Sequence, residues 1–588
     1  MIARMQSYCL GLACLAFACL PAASTASPPT DLDQLPGLWG YEITYGPRVQ
    51  GVLTIDGRDA AWDADIAGLH ATVERKGAHL SFALPGNNGA FRGEASADGQ
   101  RLEGFWIQPS GQTLNAAYAT PVRLHAIAPN VWQGRVEPLA DKVSLYLQID
   151  RDKEGRLHGF IRNPEFNFGG RRPYAIRADG DALLFENTKR KNDVLHARID
   201  PDSGHLQVDY QGVGVWEFSR REPAQAPGFH PRAGMTAVFR DHAPVPTDDG
   251  WTIGSLAQAD MDAAPIAALI EQLQAPPADE RAPYVHALLI ARHGKLVVDE
   301  YFHGYGRDDP HDSRSAGKTL APVLVGLARK QGKFDADTRI QSLLPAHASR
   351  FRDDARKQAI TVRDLMTMTS GLACDDNDDA SPGNEDTMQQ QQDQKDWVAY
   401  TLALPMARAP GGTQSVYCSA GINLLGAIVS ARTGMALPEF FEREYAAPLG
   451  IRRYHMNLMP DGNGYLGGGI HLRPRDALKL GQLYLDGGRW HGRQIVDPAW
   501  VQDSTTRHAQ FEADHGYGYA WHEHTLRVGE RTYREYAAEG NGGQFVIVVP
   551  ELDLVVAISA GNYGDFQTWS KFQDFVPASV IPAITRRH

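Results

Sequence analysis

The feature that most constrains this chain is a change of pattern across residues 223–250. Before it, residues 28–222 run as short alternating apolar and polar segments. Examples are Gly51–Asp56 and Val143–Asp150, with turn residues such as Asn87-Asn88-Gly89 and Asp98-Gly99 between strands. Alternation buries one face of each strand, and so many short strands close as a barrel or a sandwich. After it, apolar residues recur at helical spacing, over 264–273 and again at Leu320, Val323, Leu324, Leu327 and Ala328. His293-Gly294 joins the apolar runs 286–292 and 295–302 as a hairpin turn. The boundary is punctuated by Pro223, Pro227, Pro231, Pro244 and Pro246 and reads as a linker. At 588 residues the chain exceeds what one core supports. The expectation is a multidomain protein: an all-β domain over 28–222, a linker over 223–250 and a mixed α/β domain over 251–588.

The β region carries a faint internal echo. Trp39-Gly40, Ile55-Asp56 and Gly104-Phe105-Trp106 are followed in the same order by Trp132-Gln133-Gly134, Ile149-Asp150 and Gly214-Val215-Trp216. Two copies of one β unit of about a hundred residues account for it. The aromatic residues read as core fillers rather than a ligand cage.

Residues 1–26 read as a signal peptide. Arg4 gives the basic start, 8–20 the apolar run and Ser24-Thr25-Ala26 small residues for cleavage. The apolar run is too short for a stable membrane span, so the mature chain is expected to be exported, periplasmic or secreted. A net charge of −12 argues against nucleic acid as a partner. Cys9, Cys14 and Cys19 leave with the leader. Cys374 and Cys418 remain as an even pair in an oxidising compartment, either joined or two buried thiols.

The chemistry concentrates in three stretches. Ser315-Ala316-Gly317-Lys318 opens an amphipathic segment. In a helix over 315–331 the hydroxyl and the amine lie one turn apart, where a neutral amine accepts the serine proton. Pro322 removes the N–H that would bond back to Lys318, so the first turns are expected to bend. Tyr417-Cys418-Ser419 follows a Pro410-Gly411-Gly412 turn and precedes the apolar run 422–429, which sets Tyr417 at a helix start. A phenol beside a lysine ammonium is expected to lose its proton below about 10 and so to act as a base toward Ser315. Gly540-Asn541-Gly542-Gly543 runs into the apolar strand 545–549, and a glycine-rich entry lets a backbone N–H approach a ligand.

Together the three resemble the serine hydrolases of the class C β-lactamase and penicillin-binding-protein type, with their esterase, D-aminopeptidase and 6-aminohexanoate-oligomer hydrolase relatives. Residues 360–372, Gly467-Gly468-Gly469, 473–476, 516–519 and 549–553 are similar to that group as well, and the resemblance covers about 285–580. It implies an antiparallel sheet flanked by helices beside a helical subdomain, with the site between them. It implies an acyl-enzyme on Ser315, proton shuttling by Lys318 and Tyr417, a substrate-side role for Ser419, and an oxyanion N–H from Asn541 in the Gly540–Gly542 turn. Where relatives carry Lys or His in the third motif, this chain has Ala537 or Ala538. That departure, with Ser419 in place of asparagine, favours an ester or amide of a small or uncharged acyl group over a β-lactam. Glu539, if it points inward, repels anionic substrates.

Other readings are weaker. Ala316-Gly317-Lys318-Thr319 is like the end of a P-loop, but Asp312 stands where glycine is required. A binding protein on an inactive hydrolase fold is disfavoured by the intact Ser315, Lys318 and Tyr417. Residues 374–396 are acidic and Gln-rich. Asp375, Asn377 and Asp379 imitate a calcium loop, yet Ala380 replaces its glycine and Asp386 its glutamate, so the stretch reads as a solvated loop. His522-Glu523-His524 sets two imidazoles on one strand face, but no third Cys or His ligand is near in sequence. They read as surface histidines, and no metal or cofactor is expected. The expected partner is a small ester, amide or peptide-like substrate.

Overall fold

The computed structural model describes residues 32–58, 61–114, 116–166, 173–190, 192–210, 214–232, 241–391 and 394–585. The leader over 1–26 lies outside the described residues.

The N-terminal region is all-β and builds two barrel-like units. One is a closed antiparallel barrel of eight strands, Gly37–Gly46 followed by seven strands from Asp141–Arg151 to Gly214–Arg220. The other is a sheet formed by the strands between Gly51 and Val136. Its edge strands, Leu69–Thr72 and Glu74–Lys76, are separated in the chain by Val73 alone, so the sheet curls until its edges meet.

The two units exchange their first strands. Trp39 pairs with Leu147 and, on its other side, with Arg220, in the barrel built from the second half of the region. Trp132 pairs with Ile55 in the sheet built from the first half. Trp39 and Trp132 are both buried, in separate cores. The exchange ties the units together by main-chain ladders as well as by packing.

The C-terminal domain has a nine-stranded sheet ordered Thr252–Ile253, Lys295–Tyr301, Val285–Arg292, Leu554–Ala560, Gln544–Val549, Arg531–Gly540, His522–Val528, His515–Tyr517 and Ala509–Glu512. All pairs are antiparallel except the first. Its central strands are apolar on both faces because helices cover both. Leu288, Ile290, Ile547 and Val556 meet the helix Ala263–Leu273 and the C-terminal helical turns. Leu289, Ala291, Val548 and Val555 meet the helices Leu320–Lys330 and Pro474–Leu485. The helix Ser419–Thr433 packs on Leu320–Lys330 and centres the helical subdomain.

Residues 241–250 are bound to the C-terminal domain. Arg475 donates to Asp249 at 3.0 Å, to Thr247 at 2.8 Å and to the Val245 carbonyl, and it also pairs with Asp299 at 2.6 Å. Arg475 is buried, and breaking a buried, fully bonded ion pair costs about 3–5 kcal/mol.

A short ladder connects the β region to the C-terminal domain. The strand Ala117–Ala128 pairs with Tyr454–Leu458, which pairs with His471–Leu472, which pairs with His311–Asp312. The last strand ends three residues before Ser315. The β region therefore reaches the candidate site through an unbroken series of strand pairings.

Candidate active site

Ser315 lies in a 3₁₀ turn, Arg314–Thr319, that feeds the α-helix Leu320–Lys330. The tighter turn eclipses residues i and i+3, which aligns Lys318 with Ser315. It also accommodates Pro322, which falls in the first turn of the α-helix, where a missing N–H costs little. Lys318 Nζ is 2.9 Å from Ser315 Oγ and 5.1 Å from the Tyr417 ring centre. The Tyr417 hydroxyl stands within hydrogen-bonding reach of the Ser315 side chain. The Ser315 hydroxyl, the Lys318 amine and the Tyr417 phenol thus converge, although 99 residues of sequence separate Lys318 from Tyr417.

The expected protonation of Tyr417 is not what the structure supports. Burial holds its phenol well above the ordinary tyrosine range, and Asp376, Glu385 and Glu539 push the same way. The nearby Ser315 side chain only partly offsets this. At neutral pH Tyr417 is a proton donor.

Two glycine stretches shape the turn. A Cβ on Gly540 would come within 2.7 Å of the Ser313 carbonyl and 3.0 Å of the Ala316 amide, so only glycine lets this strand end lie on the nucleophile turn. On the other side the Gly469 amide donates to the Arg314 carbonyl at 3.0 Å, and a Cβ on Gly468 would meet that carbonyl at 2.6 Å. Asn541 follows Gly540 and lines the cleft with Ser315, while its Oδ1 accepts from the Gly564 amide at 2.8 Å. Gly542 has φ +95° and is turned onto the Tyr563 ring and Asn562, so it shapes the turn rather than lining the cleft.

The cleft above Ser315 has a volume of about 270 Å³. A groove of about 890 Å³ between the first β unit and residues 434–447 is larger but holds none of the reacting groups. The Ser315 cleft is walled by Arg314, Glu385, Trp397, Asn457, Tyr465 and Gly467–Gly469, and by Tyr118 from the β region. Tyr118 is directly opposite Asn457 in the strand pair, which explains how a distant sequence segment enters the site. Nothing in the sequence around Tyr118 signals this.

The acidic stretch 374–396 is a second departure from expectation. It is not a solvated loop. Met388 and Asn384 are buried, and the Asn384 amide donates to the carbonyls of Asp376 and Asp378. Asp376 Oδ2 accepts from the Ser419 amide at 2.7 Å and from its hydroxyl at 2.6 Å, while Oδ1 accepts from the Glu385 amide at 2.9 Å. Ser419 is fully buried and faces Asp376 instead of the cleft. Burial and the neighbouring Glu385 push the Asp376 carboxyl up to about 6, against the pull of Lys318 and Ser419. Cys374 and Cys418 are joined in a disulfide, which ties this stretch to the Tyr417–Ser419 segment. That pairing is the one sequence cue that brings Asp376 beside Ser419.

Ala538 is buried in the core at the third motif and contributes no cation. Glu539 does not line the cleft. Its Oε1 is 2.7 Å from His524 Nε2. Burial opposes its charge, yet His522 and the bond from His524 hold the carboxylate at about 2. The histidines at 522 and 524 are not lone surface groups. His515 and Glu539 complete a cluster whose ligand atoms all lie within 4.8 Å of one another, and His522 is buried.

Comparison with known proteins places this geometry in a family. A 6-aminohexanoate-dimer hydrolase from Paenarthrobacter ureafaciens is 26% identical over 228 residues, 37% of this chain and 56% of the relative. Penicillin-binding protein 4 from Amycolatopsis lactamdurans is 29% identical over 146 residues, 25% of this chain and 36% of the relative. The chain therefore spans between a third and somewhat over half of these curated relatives. A penicillin-binding protein structure from Bacillus halodurans aligns with a TM-score of 0.41 at 18% identity, covering 50% of this chain and 96% of that one. The family model described as Beta-lactamase matches residues 266–568, just over half of the 588 residues, and the chain belongs to this family of hydrolases.

Proposed function

We propose that this protein is an exported serine hydrolase that cleaves an ester or amide through an acyl-enzyme on Ser315. The observation that carries the reading is the 2.9 Å contact of Ser315 Oγ with Lys318 Nζ, with the Tyr417 ring 5.1 Å from the same nitrogen. Lys318, as the neutral amine, takes the Ser315 proton while Oγ bonds to the substrate carbonyl carbon. The negative charge on the carbonyl oxygen is met by the backbone amides of Ser315 and Asn541. Tyr417, kept protonated by burial, gives its proton to the departing alcohol or amine and recovers one from the Lys318 ammonium. Water then repeats the sequence in reverse and frees Ser315.

The absence of a cation at Ala538 leaves no anchor there for a substrate carboxylate, Arg314 in the cleft wall is already paired with Asp312 at 2.9 Å, and Glu385 in the same wall disfavours anions further. Substrates are therefore esters or amides with an uncharged or cationic acyl part. A β-lactamase or D,D-peptidase uses the same chemistry but needs that missing anchor. A panel of p-nitrophenyl esters, D-amino-acid amides and nitrocefin tests the reading. Turnover of esters or amides with nitrocefin untouched is expected, and nitrocefin hydrolysis at a comparable rate would overturn the substrate assignment.

A further inference from the structure

We propose that His515, His522, His524 and Glu539 form a zinc-binding site that braces the sheet end carrying the oxyanion turn. This inference stands independently of the acyl-enzyme reading, because none of the four residues is assigned a role in it.

The ligands come from three adjacent strands, His515–Tyr517, His522–Val528 and Arg531–Gly540, so their spacing is fixed by ladder hydrogen bonds rather than by loops. His515 Nε2 is 2.7 Å from His522 Nδ1, and His524 Nε2 is 2.7 Å from Glu539 Oε1. All four ligand atoms lie within 4.8 Å of one another. Zinc bonds nitrogen and carboxylate oxygen at about 2.0–2.2 Å, so ligands at the corners of its tetrahedron stand about 3.3 Å apart. The two close pairs need to open by roughly half an ångström and the others to draw in. Three imidazoles with one carboxylate and no thiolate is a donor set that suits zinc and excludes calcium and magnesium, which take oxygen.

A second observation points to a ligand. Glu535 sits directly across the strand pair from His524 and is fully buried; its Oε1 accepts from the Gln573 side-chain amide, and among the described residues its Oε2 has no hydrogen-bond partner. Histidines bound to a metal commonly hold a carboxylate on their other nitrogen, and Glu535 is the carboxylate that stands across the strand pair from His524. The position of the site gives the ion its consequence. Glu539 is followed at once by Gly540 and Asn541, whose backbone lies on the Ser315 turn. Phe511 packs on His515 with ring centres 5.2 Å apart and on Tyr417 at 5.9 Å. The ion is thus one aromatic ring away from the catalytic phenol and steadies it without touching substrate.

The test uses the full-length mature protein, stripped with a chelator and titrated with Co²⁺ and with Zn²⁺. One equivalent of Co²⁺ should give the intense visible bands of a tetrahedral ion, displaced by Zn²⁺. Zinc at a hundredfold excess over its Kd should raise the melting temperature by roughly 2–5 °C. His524→Gln and His515→Gln, both at partly exposed positions, should lose the bands and the zinc-dependent shift while keeping the wild-type circular dichroism spectrum. His242→Gln, remote in the chain, should lose neither. No tetrahedral bands in wild type, or bands unchanged in both His524→Gln and His515→Gln, would overturn the proposal.

Discussion

The Ser419 hydroxyl donates a 2.6 Å hydrogen bond to Oδ2 of Asp376, a carboxyl that burial and Glu385 push up to about 6. The folded state therefore holds the Asp376 proton more tightly than the unfolded chain, where a carboxyl titrates near 3.9. Between about pH 4 and 6 the folded form binds more protons, so this residue's contribution to stability is lost as pH rises through that window. The full effect is on the order of 2–3 kcal/mol. Asp376→Asn has no charge to bury. Its melting temperature relative to wild type should rise from pH 4 to pH 7, as followed by thermal denaturation across that range. A constant difference would show that Asp376 does not titrate there.

The proton shuttle makes a separate prediction. Lys318→Met and Tyr417→Phe should each lower kcat by about 10²–10⁴ on an ester substrate with the fold intact. Lys318→Arg should not rescue, because a guanidinium keeps its proton and cannot serve as the base. Steady-state kinetics with circular dichroism as the folding control checks all three. Recovery of activity in Lys318→Arg would rule out the amine as proton acceptor.

Gly540 is needed for contact rather than for conformation. A methyl group there would sit 2.7 Å from the Ser313 carbonyl and 3.0 Å from the Ala316 amide. Gly540→Ala should push the strand end off the Ser315 turn, lower kcat by about 10²–10³ as an oxyanion donor is displaced, and destabilise by about 1–3 kcal/mol. Kinetics and denaturant unfolding of this variant report the two effects separately.

The disulfide links the acidic stretch to the Tyr417 segment across 44 residues of sequence. Closing a loop of that length in the unfolded chain is worth about 4 kcal/mol. The Cys374→Ser/Cys418→Ser double variant should melt well below wild type. Reduction of the wild type should lower both its melting temperature and its kcat, since Cys418 lies between Tyr417 and Ser419.

The reach of the β region into the site predicts a binding effect. Tyr118 walls the cleft, and among the described residues no hydrogen bond joins it to Ser315, Lys318 or Tyr417. Tyr118→Ala should raise KM several-fold and leave kcat nearly unchanged. A drop in kcat alone would mean that the residue positions Asn457 or Arg314 instead.

Much of this architecture was legible in the sequence where local pattern and chemistry coincide. Alternation marked the β region, and the spacing of Ser315 and Lys318 marked the nucleophile turn. What the sequence concealed is set by long-range pairing. Trp39 and Trp132 stand in equivalent places of the echo, yet each joins the other unit's barrel, an exchange that no local pattern encodes. Tyr118 enters the cleft only because its strand pairs with Tyr454–Leu458. Asp376 looks like one more solvated acid until the disulfide at Cys374 brings it to Ser419. For Tyr417, proximity to Lys318 suggests a lowered phenol, whereas its burial decides the opposite sign. Sequence distance does not mark His515 and Glu539 as partners of His522 and His524, because strand register brings them together.

The central claim is that Ser315 is an activated nucleophile. Intact-mass spectrometry of the mature protein after incubation with a fluorophosphonate tests it most directly, with Ser315→Ala alongside. The account predicts one adduct on the wild type and none on the variant. A folded wild type that takes up no adduct, or an equal adduct on Ser315→Ala, would contradict it.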